Sequence, residues 1–199
     1  MNETSFFYRF TRQARIDINA ARESRAYAEL QYEASDRASS PSTLQQLAFH
    51  SDERVRASVA ANPSTSTHLL MHLAEDVNMW VRLAVAGNES VRGDLLSQLA
   101  RDEEWSVCSR AARNQSALPD DLALLADSAS LSVRASVGGN ANTPESTLAR
   151  LAEDSDYRVR TCIAINPTTP LAVLQQLAID EEHIVREYAL ANPTYIASL

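Results

Sequence analysis

Hydrophobic residues recur along this chain with a period of 26 residues. In every period a Leu-Ala pair is followed by a valine, and an asparagine lies seven residues beyond that valine. A further leucine precedes the Leu-Ala pair by three residues. These positions are filled six times without an insertion, so residues 41–196 are predicted to be six copies of one unit. The six valines, which number repeats 1 to 6, are Val55, Val81, Val107, Val133, Val159 and Val185.

Each unit is predicted to contain two short helices. In the first helix of repeat 2, Leu70, Leu73 and Ala74 are spaced as one apolar helix face. The second helix is predicted to bury the valine and the residues three and four positions after it. Neither helix exceeds about ten residues, a length that is marginal in isolation, so stability must come from stacking of repeats. The opposite face of the first helix is predicted to face water, and it carries Gln46, His72, Gln98, Arg150 and Gln176.

Polar residues and prolines mark the expected helix ends. A hydroxyl N-cap followed by proline is predicted to open the first helix at Ser40-Pro41, Thr143-Pro144 and Thr169-Pro170. The second helix is predicted to end at the repeated asparagine, which tolerates the left-handed conformation of a helix end. The expected N-caps of the second helices are Asp52, Asn78, Ser130 and Asp156, with Glu104 and Glu182 as weaker substitutes.

The repeat motif resembles the leucine-rich repeat variant family. The residues that carry the resemblance are Asn166-Pro167-Thr168-Thr169-Pro170, Leu174, Leu177-Ala178, Asp180 and Val185-Arg186. The resemblance covers about four-fifths of the chain and implies a right-handed superhelix of alternating α- and 3₁₀-helices without strands. The spacing from Asp76 to Val81-Arg82 is also similar to HEAT repeats, which place an Asp/Arg ladder along their inner layer. The predicted fold class is an all-α, right-handed α-solenoid of six two-helix repeats behind an N-terminal helical cap.

The same resemblance carries little information about chemistry. The founding type of the family holds a cysteine-ligated iron–sulfur cluster ahead of its repeats, whereas residues 1–40 of this chain contain no cysteine. No cofactor is therefore predicted. Beyond binding, the family implies no specific function.

The ends of the chain are predicted to differ from the repeats. Residues 1–40 are interpreted as a helical cap, with a helix from about Ile16 to Glu33, because a terminal repeat exposes its stacking face. At the other end, either Tyr195, Ile196 and Leu199 fold over repeat 6, or this end joins another copy; residues 197–199 are a short tail. Ahead of the cap helix lies a segment that packs over the cap or docks on a partner or a membrane surface, and it comprises Phe6, Phe7, Tyr8 and Phe10 with Arg9, Arg12 and Arg15.

Two sets of repeated polar residues are predicted to hold neighbouring repeats together. The asparagines are expected to satisfy backbone groups that stacking would otherwise bury unpaired. The arginine after the valine is expected to link repeats through aspartates, and a phosphate-binding arginine row is the alternative. The first set comprises Asn62, Asn88, Asn114, Asn140, Asn166 and Asn192. The second comprises Arg56, Arg82, Arg134, Arg160 and Arg186 with Asp76, Asp102, Asp154 and Asp180.

The candidate interaction surface lies on the second helices. Large side chains stand two residues before the valine, and small ones, two and five residues after it, are predicted to share their side of the helix. This pattern fits either a partly apolar groove or ordinary packing between adjacent second helices. The candidate residues are Met79, Trp80, Trp105, Arg110, Arg113, Leu131, Tyr157 and His183.

Repeat 3 departs most from the pattern. Cys108 occupies the arginine position, Arg110 the position predicted to be small and buried, and Arg113 the position before the asparagine. Departures of this kind mark either function or compensation. The functional hypothesis is a binding site that includes Trp105; the structural one is that Arg110 pairs with Asp102 in place of the missing arginine.

Composition and net charge exclude several classes of function. With 18 Lys+Arg against 26 Asp+Glu, the net charge of −8 disfavours a general nucleic-acid or anionic-membrane binder. No apolar run is long enough to span a bilayer, and two cysteines favour a reducing, cytoplasmic setting. Catalytic motifs are absent, and His68 with His72 supplies too few ligands for a predicted metal site. The predicted function is non-enzymatic protein or peptide binding on the inner surface formed by the second helices; nucleic-acid binding through the arginine columns is the alternative.

Overall fold

The computed structural model describes residues 24–199, and this part of the chain contains α-helices and no strand. Helix α1 covers 24–35. The first helices of the six repeats are α2 (Pro41–Leu47), α4 (Thr67–Leu73), α6 (Asp94–Leu99), α8 (Pro119–Leu125), α10 (Glu145–Leu151) and α12 (Leu171–Leu177). The second helices are α3 (Glu53–Ala61), α5 (Met79–Ala86), α7 (Trp105–Arg113), α9 (Leu131–Gly138), α11 (Tyr157–Ile165) and α13 (His183–Ala191); the short α14 (Pro193–Ile196) follows them.

The helices form two layers. Each second helix packs against the second helix of the next repeat, from α3 through to α13. Each first helix contacts the second helix of its own repeat on the other side. The predicted all-α solenoid of stacked helix pairs is therefore confirmed.

The core is a continuous apolar spine between the two layers. In repeat 2, Leu70 and Leu73 of α4 and Val81 and Val85 of α5 are at most 1% exposed, and the equivalent residues of the other repeats are buried in the same way. Full burial of one such side chain contributes roughly 1.5–3 kcal/mol. Because the helices have only six to nine residues, this burial between neighbours supplies the stability that isolated helices lack.

The starts of the first helices differ in part from the prediction. Ser40 is the N-cap of α2 and Pro41 its first residue, as expected. In repeats 5 and 6 the threonine N-cap was wrong, because Pro144 and Pro170 themselves occupy the N-cap position. The two preceding threonines are buried, and their hydroxyls donate to backbone carbonyls of the previous second helix, Thr143 to Val137 and Thr169 to Ile163.

The ends of the second helices also correct the prediction. The expected left-handed asparagine was wrong: between residues 24 and 199 no residue other than glycine has a positive φ. Asn62 has φ −72° and ψ 121°, an extended conformation that turns the chain away from α3. The second helices are assigned as α-helices, with no 3₁₀-helix in the described residues, so the alternation implied by the resemblance is not found.

Helix α1 takes the place of a second helix ahead of repeat 1. The side-chain amide of Asn62 donates to the carbonyls of Ala34 and Asp36, and Asn88 donates in the same way to Ala60 and Asn62. The end of α1 therefore presents the same acceptors as the end of α3. The aromatic and arginine-rich segment Phe6–Arg15 and the predicted start of the cap helix at Ile16 lie outside the described residues.

The last repeat is only partly covered. Helix α14 contacts α12 and α13, and Tyr195 is half-buried against the core. Ile196 and Leu199 are exposed, so the expectation that they fold over repeat 6 was wrong, since only Tyr195 reaches the apolar surface. Association of this end with another copy stays a prediction. Within residues 24–199, every helix is too short or too polar to span a bilayer.

Candidate interaction surface

The six asparagines form an asparagine ladder between adjacent repeats. Each side-chain amide donates to two backbone carbonyls of the preceding repeat, or of the end of α1 in the case of Asn62. Each side-chain oxygen accepts from the backbone N–H two residues later. For Asn88 these distances are 2.7 Å to Ala60, 2.9 Å to Asn62 and 2.8 Å from Ser90. The amides are thus fully engaged in holding backbone groups that stacking buries.

Arginines and aspartates form a second set of cross-links, here called the Arg–Asp ladder. Arg82 donates through Nε and Nη2 to both carboxylate oxygens of Asp102 in the next repeat, at 2.7 and 2.9 Å. Its Nη1 donates to the carbonyl of Asp76 in its own repeat at 2.8 Å. The same geometry joins Arg56 to Asp76, Arg134 to Asp154 and Arg160 to Asp180. Arg186 in the last repeat donates to the carbonyls of Asp180 and Glu181.

The environment of the ladder carboxylates keeps them ionised. Burial, the largest influence, raises the pKa of each carboxyl, but hydrogen bonds from the arginine and from a backbone N–H, with the arginine's charge, outweigh it. The pKa of Asp76, Asp102, Asp154 and Asp180 therefore lies below its usual value. Since the guanidinium groups of Arg56, Arg82, Arg134 and Arg160 are bound to these carboxylates, they are not open to a phosphate.

The Arg–Asp ladder is interrupted between repeats 3 and 4. Cys108 stands at the arginine position, and its thiol donates to the carbonyl of Asp102 at 3.1 Å. Asp102 already binds Arg82, so the hypothesis that Arg110 pairs with Asp102 was wrong. The physical reason is that each ladder arginine pairs with the aspartate of the following repeat, so Asp102 is the partner of repeat 2 and not of repeat 3. In repeat 4, Ser128 stands at the aspartate position.

The candidate interaction residues lie on the accessible face of the second helices. Trp80 is 59% exposed and Trp105 is 56% exposed, which is unusual for the largest apolar side chains. Arg110, Arg113, Tyr157 and His183 are also exposed, while Met79 and Leu131 are half-buried.

The predicted small residues on this face are only partly there. Ala57 and Ala135, two residues after the valine, are half-buried at the surface. The position five residues after the valine was assigned to the wrong side, because Ala60, Ala86, Ala112 and Ala164 are fully buried. These alanines allow adjacent second helices to approach closely, so they belong to the packing between repeats.

Three adjoining cavities surround Arg113, and together they are here called the repeat 3 groove. The first has about 430 Å³ and is lined by Glu89, Arg92, Arg110, Arg113 and Gln115 among others. A second of about 260 Å³ lies beside Leu83, Trp105 and Ser106 and shares Arg110 and Arg113. A third of about 430 Å³ extends from Arg113 past Gly139 to Asn142.

The arginines of the groove have no carboxylate partner among the described residues. Within residues 24–199, no carboxylate oxygen lies within 4 Å of Arg92, Arg110 or Arg113, whereas most of the other arginines in this range form ion pairs. Nε of Arg113 donates to the hydroxyl of Ser136 at 2.9 Å. The guanidinium of Arg110 lies over Gly87.

Gly87 makes room for Arg110. Its backbone, with φ −87° and ψ −7°, is one that any residue adopts, so the turn does not require glycine. A Cβ atom placed there would lie less than 3.0 Å from three guanidinium atoms of Arg110. Sequence reasoning did not select Gly87, Leu83 or Arg92; the signal for Gly87 was a glycine where repeat 1 has Ala61.

The histidine, cysteine and acidic side chains of the described residues form neither a metal site nor a reactive thiol. No group of three or more His, Cys, Asp or Glu side chains in 24–199 is arranged to hold a metal ion, and His72 stacks on Phe49 with ring centroids 4.5 Å apart. Burial raises the pKa of the Cys108 and Cys162 thiols, which disfavours the reactive thiolate.

The solenoid matches a solved structure described as a leucine-rich repeat variant with a novel repetitive protein structural motif. The TM-score is 0.60 at 23% sequence identity, and the match covers 80% of this chain. The chain has the fold of a leucine-rich repeat variant. It spans 63% of the length of that leucine-rich repeat variant structure.

A crystal structure of an engineered protein is less similar, with a TM-score of 0.31 and 16% identity over 85% of this chain and 88% of that one. No protein-family model matches the chain, and no curated protein is significantly similar to it.

Proposed function

We propose that this protein is a non-enzymatic scaffold that binds a protein or peptide on the exposed face of its second helices. The observation that carries the proposal is the repeat 3 groove, where the exposed Trp105 stands beside Arg110 and Arg113, two arginines without a carboxylate partner among residues 24–199. Aromatic and arginine side chains around a concave surface are the types that dominate binding energy at protein interfaces.

The cross-links that recur between the repeats do not use the side chains of the proposed binding surface. The asparagine ladder and the Arg–Asp ladder satisfy the polar groups between repeats. The exposed side chains of Trp80 and Trp105 take no part in these cross-links.

Selection of peptide binders tests the proposal. Random dodecapeptides displayed on phage are selected on the full chain, and the enriched peptides are then measured by fluorescence anisotropy. We expect binding to be lost when Trp105→Ala and Arg113→Ala are combined, with the helical circular dichroism unchanged. The matched control combines Met71→Ala and Arg37→Ala, which remove an exposed apolar side chain and an exposed arginine elsewhere. Equal loss in the control, or no enriched peptide at all, would overturn the proposal.

A further inference from the structure

We infer that the repeat 3 groove takes an acidic peptide segment, in which a carboxylate-bearing residue lies next to a large apolar one. This inference rests on the proposed function and names the chemistry of its partner. The carboxylate binds between Arg110 and Arg113, and the apolar side chain packs against Trp105 and Leu83 in the adjoining cavity.

The charge distribution is the first argument. The protein carries a net charge of −8, yet the first cavity of the groove is lined by three arginines, Arg92, Arg110 and Arg113, and a single acidic residue, Glu89. The ladder arginines already hold carboxylates, whereas these three have none in the described residues. An anionic group entering the groove therefore meets a local positive charge that no carboxylate of residues 24–199 compensates within 4 Å.

The arrangement of the two central arginines is the second argument. Arg113 is oriented by the hydroxyl of Ser136, which accepts from its Nε and leaves its remaining N–H groups for a ligand. Arg110 rests in the space that Gly87 provides. A guanidinium oriented like that of Arg113 suits the paired, planar hydrogen bonds of a carboxylate, and the neighbouring Arg110 adds a second positive charge.

The apolar part of the groove is the third argument. Trp105 and Leu83 line the second cavity, which shares Arg110 and Arg113 with the first, so basic and apolar side chains lie side by side. Ser106 lines the same cavity, and its hydroxyl is buried without a hydrogen-bond partner in the described residues.

The neighbouring repeats favour a peptide over a nucleic acid. At the position of Arg113 the adjacent repeats have Gly87 and Gly139, and at the position of Arg110 they have Ala84 and Ser136. Among the second helices of repeats 2, 3 and 4, arginines without a carboxylate partner in the described residues are therefore found only in repeat 3. A nucleic acid needs phosphate contacts along an extended surface, and a net charge of −8 opposes its approach.

Composition of the selected peptides tests the inference. From the random dodecapeptide library, we expect enrichment of Asp or Glu within two positions of Trp, Phe, Leu or Met. For the tightest peptide, Arg110→Gln and Arg113→Gln each weaken binding about tenfold or more, and replacing its acidic residue by the corresponding amide does the same. Arg37→Gln, an equal change of charge at an exposed site outside the groove, leaves the affinity within about twofold.

The outcomes separate this inference from the proposed function. Enriched peptides without acidic residues, or binding insensitive to both arginine variants, overturn the inference while the scaffold function stands. Absence of any enriched peptide overturns the scaffold function itself. A random-sequence single-stranded RNA that binds with the same dependence on Arg110 and Arg113, when no acidic peptide does, overturns both. The unfolding midpoint of each variant must match the wild type, which the exposure of Arg110 leads us to expect.

Discussion

Cys108 and Ser128 stand at the two positions where other neighbouring repeats have the paired arginine and aspartate of the Arg–Asp ladder. Each keeps half of the usual geometry within its own repeat: the Cys108 thiol donates to the Asp102 carbonyl, and the Ser128 hydroxyl accepts from the N–H of Ser130. Both charged partners have been replaced together. The junction between repeats 3 and 4 therefore contains neither a buried orphan arginine nor a buried orphan aspartate. Of the groove arginines, Arg113 reaches across this junction to Ser136, whereas Arg110 lies over Gly87 of repeat 2.

Restoring the ladder at this junction gives the first prediction. Cys108→Arg or Ser128→Asp alone places an unpaired charge in a mostly buried position and is expected to destabilise the fold. The double variant forms the missing pair, so the free energies of unfolding should be non-additive by about 1–3 kcal/mol in its favour. Urea unfolding of the four proteins measures this coupling; strict additivity would show that the two positions do not interact.

The asparagine ladder gives the second prediction. Asn88→Asp preserves shape but replaces the amide donor by an acceptor facing the carbonyls of Ala60 and Asn62. We expect a loss of about 2–4 kcal/mol in the free energy of unfolding, because buried acceptors lose their donor. Gln98→Glu makes the same chemical change on the exposed face of α6 and should alter stability by less than about 0.5 kcal/mol. Similar losses in the two variants would contradict the structural role of the ladder.

Acid sensitivity gives the third prediction. The pKa of Asp154 is lowered in the folded protein: burial raises it, and hydrogen bonds from Arg134 and the N–H of Asp156 more than offset that effect. A lowered folded pKa stabilises the fold above the unfolded pKa of 3.8, and this contribution is lost as the pH falls through the folded pKa.

Chemical denaturation of Asp154→Asn at several pH values measures that contribution. The variant should be less stable than the wild type near neutral pH, and the difference should shrink below about pH 4. The exposed neighbour variant Glu153→Gln should show no such convergence. A stability gap between Asp154→Asn and the wild type that stays constant down to about pH 2 would be inconsistent with the ladder pairing.

Gly87 gives the fourth prediction. Gly87→Ala removes backbone freedom from the unfolded chain at a position with ordinary φ and ψ, so stability should be unchanged or rise by about 0.4–1 kcal/mol. The added methyl group must displace the guanidinium of Arg110, so affinity for the selected acidic peptides should fall although the net charge is unchanged. Thermal unfolding and fluorescence anisotropy measure the two effects. Destabilisation with unaltered affinity would show that Arg110 does not depend on this space.

Much of the fold was predictable because the same spacing of apolar residues recurs in each repeat. The spacing of Leu70, Leu73 and Val81 fixes which helix faces are apolar, and helices this short can bury those faces only against their neighbours. The helix ends were less predictable: the threonine and asparagine side chains have several local partners, and only the stacked structure decides which partner lies within reach.

The sequence by itself determined the period, the helix pairs, the buried spine and the polar residues that recur in every repeat, because these follow from local spacing and burial. Only the tertiary structure decided that Arg82 reaches Asp102 in the next repeat, that Ala86 is buried between second helices, and that Arg110 lies over Gly87. Such contacts depend on the offset and rotation between neighbouring repeats, which are set by packing across many residues and are not written in the spacing of any one repeat.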